Sequence, residues 1–76
     1  MKLYFENSSY EKRFIGDFTS LKDAVSEIYS FCNERNFKIY YVRSWNDSPN
    51  VRCYDVGSWS EFFLLEKTDE ENFADF

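Results

Sequence analysis

The feature that most constrains the fold is one apolar stripe of helical period in the middle of the chain. Its members recur three and four positions apart, which is the spacing of one face of an α-helix. They are Leu21, Ala24, Val25, Ile28, Phe31 and Cys32. Thr19 or Ser20 can cap this helix, and Asp23 lies in its first turn, where the helix dipole favours an acid. Asn36 suits a left-handed residue after the last turn. We therefore predict a half-buried helix over residues 20–35.

Both flanks of this helix have β-rich patterns. Before it, apolar and polar side chains alternate over 2–6, the polar residues 7–9 favour a turn, and residues 10–15 form a second candidate strand. After it, strands are predicted over 37–45, 51–56 and 61–66, with 46–50 as a loop and Gly57 at a turn. The sequence predicts an α+β fold of order β-β-α-β-β-β. In this fold a mainly antiparallel sheet of about five strands has one helix packed on one face.

A chain of 76 residues is close to the lower size limit for independent folding. Nine Phe, six Tyr and two Trp supply large side chains that compensate for the small size of the core. Residues 1–67 are predicted to form a single domain, followed by a tail over 68–76. Cys32 and Cys53 are predicted to be buried free thiols, because two cysteines are too few for a disulfide framework. A bridge between them is the alternative, if the helix packs over that strand.

The chain lacks the residues of common active sites, so we predict that it is not an enzyme and binds no cofactor. It has no histidine, which removes Ser–His and Cys–His nucleophiles, and its only glycines are Gly16 and Gly57, too far apart for a phosphate loop. The alternatives are an acid–base pair of Asp55 and Glu61 near the Gly57 turn, and a metal site among the tail carboxylates. Carboxylates beside a turn are more often solvated or capping groups, and the tail lacks the spacing of a calcium loop. We therefore predict no catalytic and no metal-binding residues.

The strands after the helix place tyrosines and cations on alternate positions. Their odd positions, which are the more apolar set, are Phe37, Ile39, Tyr41, Val51 and Cys53. We expect the helix to cover that set and to leave Lys38, Tyr40, Arg52 and Tyr54 on the open face, together with Trp59. Three interpretations remain open. These are ordinary strand residues, they form a protein-binding patch, or, with Arg43, they stack the bases of single-stranded nucleic acid.

The net charge of −5 belongs mainly to the tail, because residues 1–65 carry −1 and residues 66–76 carry −4. The tail mixes acids with phenylalanines. The residues concerned are Asp69, Glu70, Glu71, Phe73, Asp75 and Phe76. Three interpretations apply to this segment: a frayed terminus, a segment that docks on a partner, or a segment that folds back over the Lys38–Arg52 face of the same chain.

Two stretches, NFKIYYVRSW from Asn36 and DVGSWSEFF from Asp55, resemble small proteins encoded by phages and prophages of Gram-positive bacteria. The resemblance covers about half of the chain and assigns no chemistry to any residue. It implies an accessory protein that binds and blocks a host protein, including nuclease-based defence systems, as anti-CRISPR proteins do. Some such proteins present carboxylates where the target expects phosphates.

From the residues and this resemblance together, we expect a non-enzymatic inhibitor of a host or defence protein that handles nucleic acid. The predicted contact residues are those of the tail and of the open face. They are Tyr40, Arg52, Tyr54, Trp59, Asp69, Glu70, Glu71, Phe73, Asp75 and Phe76. The alternatives are a single-stranded nucleic-acid-binding module and a virion or assembly component that forms a homo-oligomer. No signal peptide or transmembrane run is recognisable, which predicts a cytoplasmic protein with no membrane contact.

Overall fold

The computed structural model describes residues 1–58, 60–71 and 73, and it confirms the predicted α+β fold. Its elements are β1 (Lys2–Glu6), β2 (Lys12–Asp17), α1 (Leu21–Glu34), β3 (Arg43–Ser48), β4 (Val51–Asp55) and β5 (Phe62–Glu66). The five strands form one sheet of order β2-β1-β5-β4-β3, in which every neighbouring pair is antiparallel. The helix packs on one face, so the opposite face of the sheet has no described helix or strand over it.

Helix α1 forms as the sequence predicts. The Ser20 hydroxyl accepts a hydrogen bond from the Asp23 amide at 3.2 Å, which satisfies one of the free N–H groups of the first turn. All six residues of the predicted apolar stripe are buried. Asn36 has φ 54°, the left-handed conformation expected after the last turn, and the Phe37 amide donates to the Cys32 carbonyl at 2.8 Å.

The core lies between α1 and the helix-facing side of β1, β4 and β5. Three phenylalanines pack together here: Phe31 and Phe63 are buried, and Phe5 is partly buried against them. Their ring centroids are 5.1 Å apart for Phe5 and Phe31, 5.3 Å for Phe5 and Phe63, and 5.4 Å for Phe31 and Phe63. Aromatic pairs at these distances add to the free energy gained by burial alone. Large aromatic side chains thus fill a core that a chain of this length could not build from aliphatic residues only.

The prediction of a strand over 37–45 is wrong for most of that range. Strand β3 begins at Arg43 and continues to Ser48, so it runs through the predicted loop, and the turn to β4 is made at Pro49 and Asn50. Between α1 and β3 the chain is irregular. The Tyr40 amide of this segment donates a backbone hydrogen bond at 3.0 Å to the carbonyl of Val56, the residue after β4. Its sequence alternates because Phe37 and Ile39 pack against the edge of the core, while Lys38 and Tyr40 are exposed.

Both cysteines are free and buried, which confirms the sequence prediction. Cys32 lies in the core between α1 and the sheet. Cys53 pairs with Leu64 of β5 and Trp45 of β3, and it alternates with the core residue Tyr54, so its thiol lies on the other face of the sheet. The sheet therefore separates the two thiols, and the alternative of a disulfide bridge is wrong. Burial raises the pKa of the Cys32 thiol and raises the pKa of Cys53 to about 11.

Candidate functional site

The candidate site is the sheet face opposite α1, which we call the outer face. One cross-strand row of apolar side chains, the apolar row, crosses all five strands of this face. From β2 to β3 its members are Phe14, Tyr4, Leu64, Cys53 and Trp45. Neighbouring strands lie about 4.8 Å apart, so the two ends of the row are roughly 19 Å from each other. Where the side chains of such a row are exposed to solvent, they are a feature of binding surfaces.

The two ends of the apolar row are the most exposed part of it. Phe14 has an exposed fraction of 55% and Trp45 of 42%, whereas Leu64 and Cys53 in the middle are buried by their neighbours. The Tyr4 ring lies 5.6 Å from Phe14, and the Trp45 ring lies 6.3 Å from Phe62, both edge to face. These contacts fix the ring positions, so the row would lose little side-chain entropy on binding a partner.

Charged residues border the apolar row on both sides. On one side, Lys2 of β1 pairs with Glu66 of β5. On the other side, Lys12 pairs with Glu6, and Arg43 pairs with Asp55. The Lys12 ammonium extends across the row, 5.8 Å from the Tyr4 ring and 3.5 Å from the Glu66 carboxylate. An apolar centre with a polar border is the usual composition of a protein–protein interface.

The two edge strands are poor templates for the addition of another strand. The pairing of β2 with β1 is interrupted by a register shift at Leu3 and Tyr4, and the pairing of β3 with β4 by one between Asn46 and Ser48. Bulges of this kind twist an edge strand away from partners and discourage edge-to-edge association. The outer face, rather than an edge, is therefore the surface available for docking.

Asp55 and Arg43 stand at the β3 end of the outer face. The Asp55 side chain is buried, and its Oδ1 accepts from the Gly57 amide at 2.8 Å. Its Oδ2 accepts from Arg43 Nε at 3.0 Å and from the Tyr41 hydroxyl at 3.4 Å. Glu61, the other carboxylate considered for acid–base chemistry, instead accepts from the Ser58 hydroxyl at 2.9 Å. Each carboxylate thus has local hydrogen-bond donors, as expected of structural groups.

The structure places Tyr54 and Arg52 differently from the sequence prediction. Tyr54 is buried in the core on the helix side of the sheet, and burial raises the pKa of its hydroxyl. Arg52 shares that side of β4 and lies 4.8 Å over the Phe73 ring, with its Nε donating to Asn46. The prediction that both lie on the open face is wrong. The even positions of β4 face α1, and the Arg52 guanidinium lies over the Phe73 ring.

Tyr40 and Lys38 are exposed, but they lie in the irregular segment before β3 and not on the sheet. The Lys38 ammonium is 4.9 Å from the Tyr40 ring. Trp59 lies outside the described residues. The residues predicted to stack nucleic-acid bases are therefore not brought together, since Tyr54 is buried and Arg52 faces the opposite way from Arg43.

The described part of the tail packs on its own chain. Phe73 is buried in the core cluster, beneath Arg52 and with the Lys67 ammonium 5.4 Å from its ring. Asp69 accepts from the Asn50 side chain at 2.7 Å. Glu71 accepts from the Met1 ammonium at 2.8 Å, and this bond lowers the pKa of the Glu71 carboxyl.

These contacts hold the described tail on its own chain, and Phe73 is not accessible to a partner. Of the Lys38–Arg52 face that the intramolecular interpretation named, they involve only Arg52. Glu70 is exposed. Asp75 and Phe76 lie outside the described residues. The role of the exposed tail acids in partner binding stays a prediction.

Sequence reasoning missed most of the outer face. Tyr4, Phe14, Trp45 and Phe62 were not singled out, although each lies in or beside a predicted strand. The signal that could have found them is the alternation within β1, where Tyr4 is the apolar exception between Lys2 and Glu6. This pattern shows that the face turned away from the core also carries an aromatic side chain.

Comparison of the chain with protein-family models, with curated proteins and with solved structures gives no match. Among residues 1–58, 60–71 and 73, no three His, Cys, Asp or Glu side chains come together as a metal site. Over the same residues, no helix has both the length and the apolar character needed to cross a membrane.

Proposed function

We propose that this chain is a non-enzymatic binding protein that docks on another protein through its outer face. The observation that carries the proposal is the apolar row, which runs unbroken over all five strands and ends in an exposed Phe14 and an exposed Trp45. Tryptophan, tyrosine and arginine contribute disproportionately to binding energy in protein interfaces. Trp45, Tyr4 and Arg43 supply one of each on this face.

Charge favours a protein partner over nucleic acid. Binding to nucleic acid draws much of its strength from phosphate neutralisation by clustered cations. On the outer face the cations are spread over three strands, with Lys2 on β1, Lys12 on β2 and Arg43 on β3, and do not form one cluster. The chain as a whole carries −5 at pH 7. This charge also opposes association of two copies, because like net charges repel.

The resemblance to phage accessory proteins supports a more specific proposal, in which binding inhibits a host or defence protein in the bacterial cytoplasm. A partner that handles nucleic acid would present a basic surface, which suits an acidic binding protein. The outer face would then cover a functional surface of that partner. Inhibition follows from occlusion, so it requires no chemistry from this chain.

Affinity capture from a Gram-positive bacterial lysate with matched surface variants tests the proposal. The test variants are Trp45→Ser and Phe14→Ser on the outer face. The control is Tyr29→Ser, because Tyr29 is similarly exposed, at 48%, on helix α1. Surface substitutions of this kind change stability little, which circular dichroism verifies for each variant. We expect a protein captured by the wild type and by the control, and lost with both outer-face variants.

Two outcomes would contradict the proposal. One is a captured protein that all three variants retain, which would place the contact elsewhere on the chain. The other is retention of the chain on a single-stranded oligonucleotide with steep salt dependence, which would identify a nucleic-acid binder. Light scattering at high protein concentration checks the assembly alternative, since an oligomer that Trp45→Ser dissociates would assign the outer face to self-association.

A further inference from the structure

We propose that Arg43 binds a carboxylate group of the protein partner at the β3 end of the outer face. This inference rests on the proposed function, because it assigns one chemical group of the partner to one residue of the same surface. It is carried by the orientation of the guanidinium, by its donors that bond to no described residue, and by the cleft around it.

The orientation of Arg43 is set by Asp55. The two residues are opposite each other in β3 and β4, and Arg43 donates through Nε at 3.0 Å to Asp55 Oδ2. The carboxylate is itself held by the Gly57 amide at 2.8 Å, so the point to which Arg43 is anchored does not move freely. A guanidinium fixed in this way loses less entropy when it binds a ligand than a free side chain does.

The remaining donors of Arg43 are its two Nη groups. No described residue accepts a hydrogen bond from either Nη atom, and the Arg43 side chain is 67% exposed. The two Nη groups form a planar fork that matches two oxygens of one acid group. Asp55 uses the Nε side of the guanidinium, so it orients the fork without occupying it.

Aromatic rings flank the guanidinium. Its central carbon lies 5.5 Å from the Tyr41 ring and 5.8 Å from the Trp45 ring. Phe62 and Ser58 complete a cleft of about 470 Å³ beside it. A ligand group in this cleft would have its charged end at Arg43 and its apolar neighbour against Trp45 and Phe62. That combination describes an acidic residue, or a chain terminus, next to an apolar side chain of a protein.

The tail acids that the structure describes do not prevent this binding. Asp69, Glu70 and Glu71 follow the C-terminal end of β5, whereas the cleft contains Phe62 at the other end of the same strand. Four residues of β-strand separate the two ends by about 13 Å, which exceeds the Debye length of about 8 Å at physiological ionic strength. A single carboxylate is favoured over a polyphosphate chain because Arg43 is the only cation among the described residues that line this cleft.

The test uses two small probes that differ in one charge. N-acetylphenylalanine carries a carboxylate beside an aromatic ring, and N-acetylphenylalaninamide has the same ring without the charge. Each is titrated into the full chain labelled with ¹⁵N, and the shifts of Arg43 Nε–H and of the Trp45 indole N–H are followed. We expect the acid to shift both signals and to bind at least about 10-fold more tightly than the amide.

A double variant separates binding from folding. Arg43→Gln with Asp55→Asn removes both charges of the pair, preserves the net charge and leaves no buried charge without a partner. We expect it to abolish the preference for the acid and to weaken capture of the protein partner by about 10-fold. Arg13→Gln, on strand β2, is the control for loss of an exposed cation outside the cleft, and it should change neither the preference for the acid nor the capture of the partner.

The inference is overturned if acid and amide bind equally well, or if the double variant retains the preference. It is also overturned if phenyl phosphate binds more tightly than the acid and the chain is retained on a single-stranded oligonucleotide, which would assign Arg43 to nucleic acid. Failure here is distinct from failure of the proposed function. Loss of the partner with Trp45→Ser but not with the double variant contradicts only the role of Arg43. Retention of the partner by both contradicts the role of the outer face.

Discussion

At the scale of single residues, Gly57 is the position at which the backbone tolerates least change. It has φ 98°, and a Cβ placed there would lie 2.8 Å from the Tyr40 Cβ. Gly57→Ala should therefore lower the free energy of unfolding by about 1–3 kcal/mol, the usual cost of a strained backbone conformation. Gly16→Ala is the control, because its Cβ would meet only the Phe18 ring, at 3.1 Å, with no positive φ. Equal losses in urea denaturation would contradict this account.

Cys53 gives stability a specific dependence on alkaline pH. Burial, with smaller contributions from the Asp47 and Glu6 carboxylates, raises its pKa from 9.0 to about 11. Between pH 9 and about 11, the folded state keeps the thiol proton that the unfolded chain has lost. The contribution of the protonated Cys53 thiol to the free energy of unfolding is therefore complete below pH 9 and disappears as pH rises toward about 11. Wild type should lose more stability than Cys53→Ala across that window in urea denaturation. Parallel pH profiles of the two proteins would show that the thiol contributes nothing.

Single residues also show where sequence reasoning reaches its limit. A strand pattern of period 2 separates two sets of side chains, but it does not say which set faces the core when both contain apolar residues. In β4, the charge of Arg52 favoured the prediction that the even positions are exposed. Arg52 lies on the helix side, where its guanidinium is over the ring of Phe73, a residue far along the sequence. Contacts of that range are not visible in a local pattern.

At the scale of elements, α1 was predictable because its information is local. Six apolar positions at helical spacing, a capping serine and a left-handed Asn36 all lie within one short segment. The segment 37–42 was not predictable, because its alternation is also the pattern of an irregular chain packed along the edge of a core. The outer face could be predicted only in part, since its row is assembled from five strands whose register depends on tertiary pairing.

The cap of α1 can be tested directly. Ser20→Ala removes the hydroxyl that accepts from the Asp23 amide, and we expect a loss of about 1 kcal/mol in the free energy of unfolding. Ser26→Ala is the matched control in the exposed middle of the same helix, where alanine is the better helix former and should be neutral or slightly stabilising. Thermal denaturation followed by circular dichroism compares the two. A loss of similar size at both positions would contradict a capping role for Ser20.

At the scale of the whole molecule, the tail supplies both core packing and negative charge. Phe73 is buried against Arg52, Asp69 is bonded to Asn50, and Glu71 to the Met1 ammonium. Removal of residues 68–76 would therefore take away core packing together with negative charge. Loss of partner binding after such a truncation would not show which of the two mattered, so the roles of packing and charge have to be tested by separate substitutions.

Those substitutions are Phe73→Ala and Glu70→Gln. Phe73→Ala should lower the free energy of unfolding by roughly 3 kcal/mol, at the low end of the range for a buried phenylalanine. Glu70→Gln changes an exposed charge and should leave stability unchanged in the same urea titration.

If the partner is held by the outer face, both variants should bind it at temperatures where each is folded. Binding lost with Glu70→Gln alone would instead assign the contact to the charge of the tail. A Phe73→Ala protein as stable as the wild type would show that the tail is not part of the core.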